Sequence, residues 1–367
     1  MLKKIIKQYP KTTNYLLLSI VFITFSILFY KIITLDIFRD HPDSDSYSVL
    51  DKIIHQVRCN NERHIRLREI KPNSKIYREP PKNYQTLENK KYLIQSDANG
   101  FIKPSQIHNN PDLQIFFLGG STTECEMVEE KYRFPYLVGR ILEDKLKIKV
   151  NSDNGAKSGN NSLHSINILL NKLIPFKPDI VVMMHNINDL SALFYEGTYW
   201  NQNKVIAPIN CDLQNKNKYI KKDQWSINKD WQNQVLSNPQ QSEKMIEDFK
   251  QNLKIFVNIA KAKKIIPVLM TQANRIENDP NFNNERGEQA SKIYQRQYIK
   301  FNQAIRDVAK QENILMIDLA RLIPADERYI YDVVHFNQAG SELVASEIAK
   351  SLSELLNKQK IIKTVNK

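Results

Sequence analysis

Ser121 is the residue from which chemistry is easiest to build. It ends the run from Ile115 to Ser121, IFFLGGS, directly behind an apolar stretch and the pair Gly119-Gly120. Such an apolar run reads as a buried strand, and two glycines let the chain turn sharply enough to lift the next hydroxyl to a sheet edge. A serine held this way can attack an acyl carbon if three further parts are supplied. These are a base that removes its proton, a group that orients the base, and N–H donors aimed at the developing oxyanion. The same local pattern also serves a plain turn, a helix cap or a phosphate-binding loop. Residues elsewhere in the chain decide among these.

Three further motifs follow in order. DNGAKSGNNS carries Asn154 to Gly159 behind a second candidate strand. VVMMHNIND is a strand ending in Asn188 and Asp189. YDVVHFNQAG, near the C-terminus, carries Asp332 and His335 three residues apart. With Gly119-Gly120-Ser121-Thr122 as the first, this set resembles the SGNH/GDSL hydrolase family over about residues 113–357. The resemblance implies Ser121 as nucleophile, His335 as general base and then general acid, and Asp332 as the group that orients the imidazole. It implies an oxyanion hole made by the backbone N–H groups of Ser121 and Gly159 and the side-chain amide of Asn188. No metal or organic cofactor is required by this chemistry. Gly120, Asn160, His185 and Asp189 are the neighbouring positions expected to border the pocket. Two positions depart from the family pattern: Gly120 stands where the GDS motif has Asp, and Asn186 where the GxND motif has Gly. Neither change removes a group with a direct chemical role, so the backbone geometry of those two turns is what they put in question.

Other reactive residue types carry weaker signals. His185 also sits at a strand end, where a satisfied structural histidine is the better reading than a pocket residue. Asp189 is expected to fix its loop through backbone hydrogen bonds. Cys125, four residues past Ser121, lacks a recognisable base and reads as a small buried residue. Cys59 and Cys211, the other cysteines, could pair outside the cytoplasm and tie the stem to an insertion. An odd count without CxxC spacing indicates neither a zinc site nor a disulfide framework.

The elements that must position these groups follow from hydrophobic periodicity. Short apolar runs at Gln114–Leu118, Ile148–Asn151, Asp179–Met184, Ile265–Thr271 and Ile314–Asp318 alternate with helical patterns. Such alternation predicts an α/β fold with a central parallel sheet and helices on both faces, which the resemblance makes the three-layer, flavodoxin-like α/β/α fold of that family. Helical stripes run through Leu137, Val138, Ile141 and Leu142, and through Leu163, Ile166, Leu169, Leu170 and Leu173. Others run through Met245, Phe249, Leu253, Phe256 and Ala260, and through Ile293, Tyr294, Phe301, Ile305 and Val308. Leu343, Val344, Ile348, Leu352 and Leu355 form the last. All read as core faces.

Two insertions interrupt the alternation. One, about 195–240, holds the tryptophans Trp200, Trp225 and Trp231 among many amides and lysines; the other, about 274–289, is shorter and polar. Loops at the carboxyl edge of a parallel sheet commonly build the binding site, so the first could stack on sugar rings or simply pack onto the domain.

The first forty residues carry a different signal. From Thr12 to Tyr30 no charge occurs, a length that at about 1.5 Å per residue roughly matches a bilayer core. Lys3, Lys4, Lys7 and Lys11 precede it and Asp36, Asp40, Asp43 and Asp45 follow, which predicts a cytoplasmic N-terminus. A cleaved signal peptide is disfavoured by the length and by the lack of an A-x-A site. The expected organisation is a cytoplasmic tail (1–11), a transmembrane helix (12–35) and a stem and lead-in segment with little core of its own (36–112). A catalytic domain (113–357) and a tail (358–367) follow.

Composition narrows the partners. The net charge of +13 comes from 53 basic residues scattered among 40 acidic ones, without the dense basic run or aromatic interleaving of a nucleic-acid binder. The excess reads instead as attraction to anionic lipid or polysaccharide. Together these features lead to the expectation of a bacterial inner-membrane, single-pass esterase with its catalytic domain on the periplasmic side. It would remove or transfer small acyl groups, such as acetyl, on a cell-envelope polysaccharide or glycolipid. The alternatives are a lipid esterase or thioesterase, and a catalytically silent carbohydrate-binding scaffold.

Overall fold

Five short runs become the parallel strands of one sheet: β1 (Leu113–Gly119), β2 (Val150–Asn154), β3 (Ile180–Met184), β4 (Ile266–Met270) and β5 (Leu315–Ile317). The computed structural model describes residues 67–80, 84, 86–200, 239–280 and 288–359, with a few isolated positions besides. The chain divides into two compact units, Met1–Glu62 and Arg63–Lys367. The expected transmembrane helix, apart from Thr24, and residues 36–63 of the expected stem lie outside the described residues, as do Trp225, Trp231, Cys59, Cys211 and the last eight residues. Among the described residues no helix is long and apolar enough to cross a membrane.

The strand order is β2-β1-β3-β4-β5, all neighbours parallel. Every residue of β1 and β3 is buried, because a parallel sheet covered on both faces has no solvated side on which polar residues could alternate. The two faces separate cleanly by side-chain parity. Phe116, Leu118, Val181, Met183 and Leu269 pack with α3 (Ser162–Ile168), α4 (Ile187–Glu196), α5 (Pro239–Ala262) and α6 (Glu288–Gln311). Ile115, Phe117, Val182, Met184 and Val268 face the opposite way, onto α2 (Phe134–Leu146) and α8 (Gln338–Gln359). Two one-turn helices, α1 (Ser121–Glu124) and α7 (Leu319–Leu322), follow β1 and β5. The expected α/β fold with a central parallel sheet is therefore present, and its order reverses at β1. The carboxyl ends of β1, β2 and β3 thus open onto one crevice.

Two sequence expectations need correction. The second strand covers Val150–Asn154, not Ile148–Asn151, because its polar residues are satisfied rather than solvated. Asn151 bonds the His108 backbone, Ser152 Oγ donates to Pro135 O at 2.5 Å, and Asn154 Nδ2 donates to Thr123 O at 2.8 Å. Asp153 accepts from Gln114 Nε2 at 2.7 Å; burial pushes its carboxyl up to about 6. Leu170 is 48% exposed although its stripe predicts a core position. The helix widens to a π-turn at Leu169–Leu173, which rotates Leu170 off the buried face while Leu169 and Leu173 stay on it.

The lead-in segment forms a hairpin of Lys75–Arg78 with Tyr92–Gln95 and a small cluster of Ile70, Ile94 and Ile102. One of its attachments is Phe101, fully buried, with ring centroids 5.0 Å from Phe116 and 5.2 Å from Phe176. Next to it, Ile102 pairs with Asn154 and covers the free edge of β2. Removing the Phe101 ring leaves a cavity shared by segment and sheet. Phe101→Ala is expected to cost about 3–5 kcal/mol in urea unfolding; a loss under about 1 kcal/mol would show that the segment only rests on the surface.

Candidate active site

The hydroxyl of Ser121 stands at the first position of α1, with Gly120 as N-cap, at the carboxyl end of β1. A Cβ at position 120 would overlap Asn188 Nδ2 and come within 3.2 Å of Asn160 O. Three loops, those after β1, β2 and β3, therefore meet where residue 120 has no side chain. The departure from the family's Asp at this position is thus accommodated locally: the bare backbone lets the Asn188 amide approach the serine turn.

His335 arrives from the far end of the chain. Its Nε2 lies 2.6 Å from Ser121 Oγ, and its Nδ1 lies 2.6 Å from Asp332 Oδ2. The spacing of three residues has a local cause. Asp332 Oδ1 accepts from Val334 N at 2.9 Å and His335 N at 2.8 Å, so one carboxylate both folds the turn and faces the ring it carries. The turn is fastened to the body by Arg275, whose N donates to Val333 O at 2.8 Å and whose Nη1 donates to Ile330 O at 3.0 Å. Tyr331 stacks on the imidazole, centroids 5.7 Å apart and planes 17° from parallel.

A carboxylate can only accept, so the imidazole proton belongs on Nδ1 and Nε2 presents its lone pair to the serine O–H. Burial works against charging the ring, but the Asp332 carboxylate outweighs it, with Glu126 and Glu124 adding to the negative field; His335 is held above the ordinary histidine value. Asp332 shows the converse. Burial alone would raise it, yet the imidazole and the hydrogen bonds it accepts keep it below the usual carboxylate range. The arrangement can withdraw a proton from Ser121 near neutral pH and hold it on the ring.

Donors for an oxyanion gather beside this pair. Neither the Ser121 nor the Gly159 N–H has an acceptor among the described residues. Gly159 has φ +79°, a conformation that favours glycine. Asn188 Nδ2 donates one hydrogen to Asn160 O at 2.8 Å, which fixes the amide plane and leaves its second hydrogen available. Gln272, behind β4, ties two of these loops together: its Oε1 accepts from Ile187 N at 3.0 Å and its Nε2 donates to Thr122 Oγ1 at 2.7 Å. Asn302 Oδ1 accepts from Gln272 N at 3.1 Å and from Asn186 Nδ2 at 2.9 Å. Asn186, the other departure from the family pattern, thereby anchors the start of α4.

The structure does not bring His185 and Asp189 to a pocket surface. Both are buried, and Ser165 Oγ lies 2.6 Å from His185 Nε2. Burial pushes that imidazole down to about 3, so it stays neutral. Asp189 accepts from Ser162 N at 3.0 Å and Tyr199 Oη at 2.7 Å, and burial pushes its carboxyl up to about 6. It ties the start of the aromatic insertion to the residue beside Asn188, and Trp200, next along, is 63% exposed. Cys125 is free and buried, its thiol pushed up to about 12 by burial and hence inert. Among the described residues no group of three or more His, Cys, Asp or Glu side chains is placed to hold a metal ion. Sequence reasoning missed Gln272, Asn302 and Arg275. For Gln272 and Arg275 the one sequence signal is the polar run Thr271-Gln272-Ala273-Asn274-Arg275 directly behind an apolar strand; Asn302, inside a helical pattern, gives none.

The family model described as GDSL-like lipase/acylhydrolase matches residues 117–343. No curated protein matches the chain. Among solved structures, a GDSL-like lipase from Parabacteroides merdae is 14% identical, with 67% of this chain and 98% of that one covered at a TM-score of 0.44. An acetylxylan esterase from Geobacillus stearothermophilus is 16% identical, with coverages of 65% and 94% and a TM-score of 0.43. A lipase/acylhydrolase from Enterococcus faecalis is 17% identical, with coverages of 66% and 96% and a TM-score of 0.40.

The electrostatics can be tested without any substrate. An NMR titration of the His335 ring is expected to give a midpoint above the reference of about 6.5. Asp332→Asn removes the charge that opposes burial, so the midpoint should fall; an unchanged or higher value in that variant would refute the assignment of cause.

Proposed function

Because the chain belongs to the GDSL-like lipase/acylhydrolase family, we propose that it is a serine esterase working through an acyl-enzyme on Ser121. Its substrate would be small acyl groups, such as O-acetyl, on a cell-envelope polysaccharide or glycolipid. The observation that carries this reading is the continuous chain from Ser121 Oγ through His335 to Asp332, 2.6 Å at each step. Ser121 Oγ attacks the acyl carbon as its proton passes to His335 Nε2. The carbonyl electrons move onto oxygen, facing the Ser121 and Gly159 N–H groups and the Asn188 amide. Collapse of the tetrahedral adduct expels the sugar alkoxide, which takes the proton from His335. Water then repeats the sequence on the acyl-enzyme and releases the carboxylic acid; a sugar hydroxyl in place of water would make the same site a transferase.

The setting rests on sequence. The uncharged stretch from Thr12 to Tyr30, with lysines before it and aspartates after, supports a single-pass anchor that leaves the catalytic unit on the periplasmic side of a bacterial inner membrane. The charge of +13 favours an anionic envelope surface. The exposed Trp200, next to a tyrosine bonded to Asp189, supports a sugar-stacking role for the insertion.

Three outcomes are expected of the purified protein. A fluorophosphonate probe should label the wild type and leave Ser121→Ala unlabelled; equal labelling of both would remove Ser121 as nucleophile. Asn188→Ala should lose about 10²–10³ in kcat on p-nitrophenyl acetate, and long-chain p-nitrophenyl esters should turn over more slowly than acetate. A clear long-chain preference would defeat the acetyl-sugar proposal.

A further inference from the structure

The loop that carries Gly159 is held by a residue from well outside the matched family region. Arg68, in the lead-in segment and almost fully buried, sets its guanidinium against two consecutive carbonyls: Nη1 donates to Gly159 O at 3.0 Å and Nη2 to Ser158 O at 3.1 Å. Its backbone takes part as well, since Asn160 Nδ2 donates to Arg68 O at 2.8 Å. The next residue extends the contact: Lys157 Nζ donates to Glu69 O at 2.5 Å, and the Glu69 carboxylate pairs with Lys172. From the other side the carboxyl group of Glu124 accepts from Ser158 N. Lys157 N donates to Gly119 O at 3.2 Å and Asn160 N to Lys157 O at 3.0 Å. Among the described residues, the Gly159 N–H is the one backbone donor of residues 157–160 left without an acceptor.

The carbonyl that receives Nη2 and the free N–H belong to the same peptide unit, the one joining Ser158 to Gly159. A cation on the oxygen of an amide draws electron density from its nitrogen and strengthens the N–H as a donor. The contact also fixes the plane of that peptide. Glycine at positive φ leaves the peptide before it easy to turn over, and the reversed plane would place a carbonyl oxygen where an oxyanion is to form. A planar fork on both carbonyls opposes that reversal; a lysine, with one point charge on a flexible stem, can meet only one of them well.

We propose that Arg68 is a positioning residue for the reaction: it locks and polarises the Ser158–Gly159 peptide so that the Gly159 N–H faces the oxyanion. The lead-in segment is then a working part of the site and not a spacer before it. This inference rests on the serine esterase reading above.

The test uses the full chain with Arg68→Ala and Arg68→Lys, the second guarding against misfolding of the first. On p-nitrophenyl acetate both are expected to lose about tenfold to a hundredfold in kcat, the scale of a misplaced catalytic group, with KM changed by less than about threefold. Added guanidinium ion should restore part of kcat to Arg68→Ala and none to Asn188→Ala, which ties the loss to the guanidinium group itself. Amide hydrogen exchange reads the clamp without substrate: residues 157–160 should exchange at least about tenfold faster in either variant, with residues 332–335 unchanged. Both folded variants keeping kcat within about twofold of wild type, a loss that guanidinium ion does not relieve, or unaltered exchange would each overturn the proposal. An inactive wild type whose loop still loosens in the variants would leave the clamp standing and defeat the esterase reading instead.

Discussion

One hydrogen bond, from Ser121 Oγ to His335 Nε2, spans 214 residues of sequence and sets what the rest of the molecule must do. Neither side chain can find the other locally, and the entropy of closing so long a loop must be met by packing elsewhere. The parallel sheet meets it by fixing Ser121 at the end of β1 and ending β5 at the same carboxyl edge, just before the stretch that carries His335, while α8, which follows that stretch, packs with α2 on one face. The last step is local: Asp332 folds the short turn that delivers the ring, and Arg275 fastens that turn to the region behind β4.

Around this bond the site is built from polar groups that hold one another. Gln272 and Asn302 span the loops after β1, β3 and β4, Asn160 orients the Asn188 amide, and Arg68 grips the loop after β2. Each of these groups is buried or nearly so, where a lost partner costs more than the same bond would contribute in water. The cost of disorder is therefore high at the place where small displacements matter most for chemistry. Glycine at 120 belongs to the same logic, since any side chain there would push the Asn188 amide away.

Much of this was legible in the sequence, for identifiable reasons. Strands β1, β3 and β4 are nearly continuous apolar runs, and α5 and α6, 24 residues each, carry apolar stripes at helical spacing. Ser121, Asp332 and His335 were legible because short-range rules surround them: two glycines before the serine, and a three-residue spacing that suits one carboxylate turn. The strand β2 was misplaced because Ser152, Asp153 and Asn154 look like a loop until their partners at 105–135 are known. Leu170 was misread because a π-turn cannot be seen in a pattern that assumes a constant period. Arg68 and Gln272 were invisible for a deeper reason: what they do depends on backbone carbonyls about 90 residues away and on a hydroxyl about 150 residues away along the chain, and side-chain chemistry alone does not name such partners.

The central claim is that the Ser121 oxygen carries the acyl group during turnover. Its most direct test is acid quenching of the enzyme during steady turnover of an acetyl ester at saturating concentration, followed by peptide mass mapping. The account predicts an acetyl group on the peptide containing Ser121 and on no other, absent when the substrate is omitted. Acetyl found on a different residue, or rapid turnover with the Ser121 peptide never modified, would contradict it.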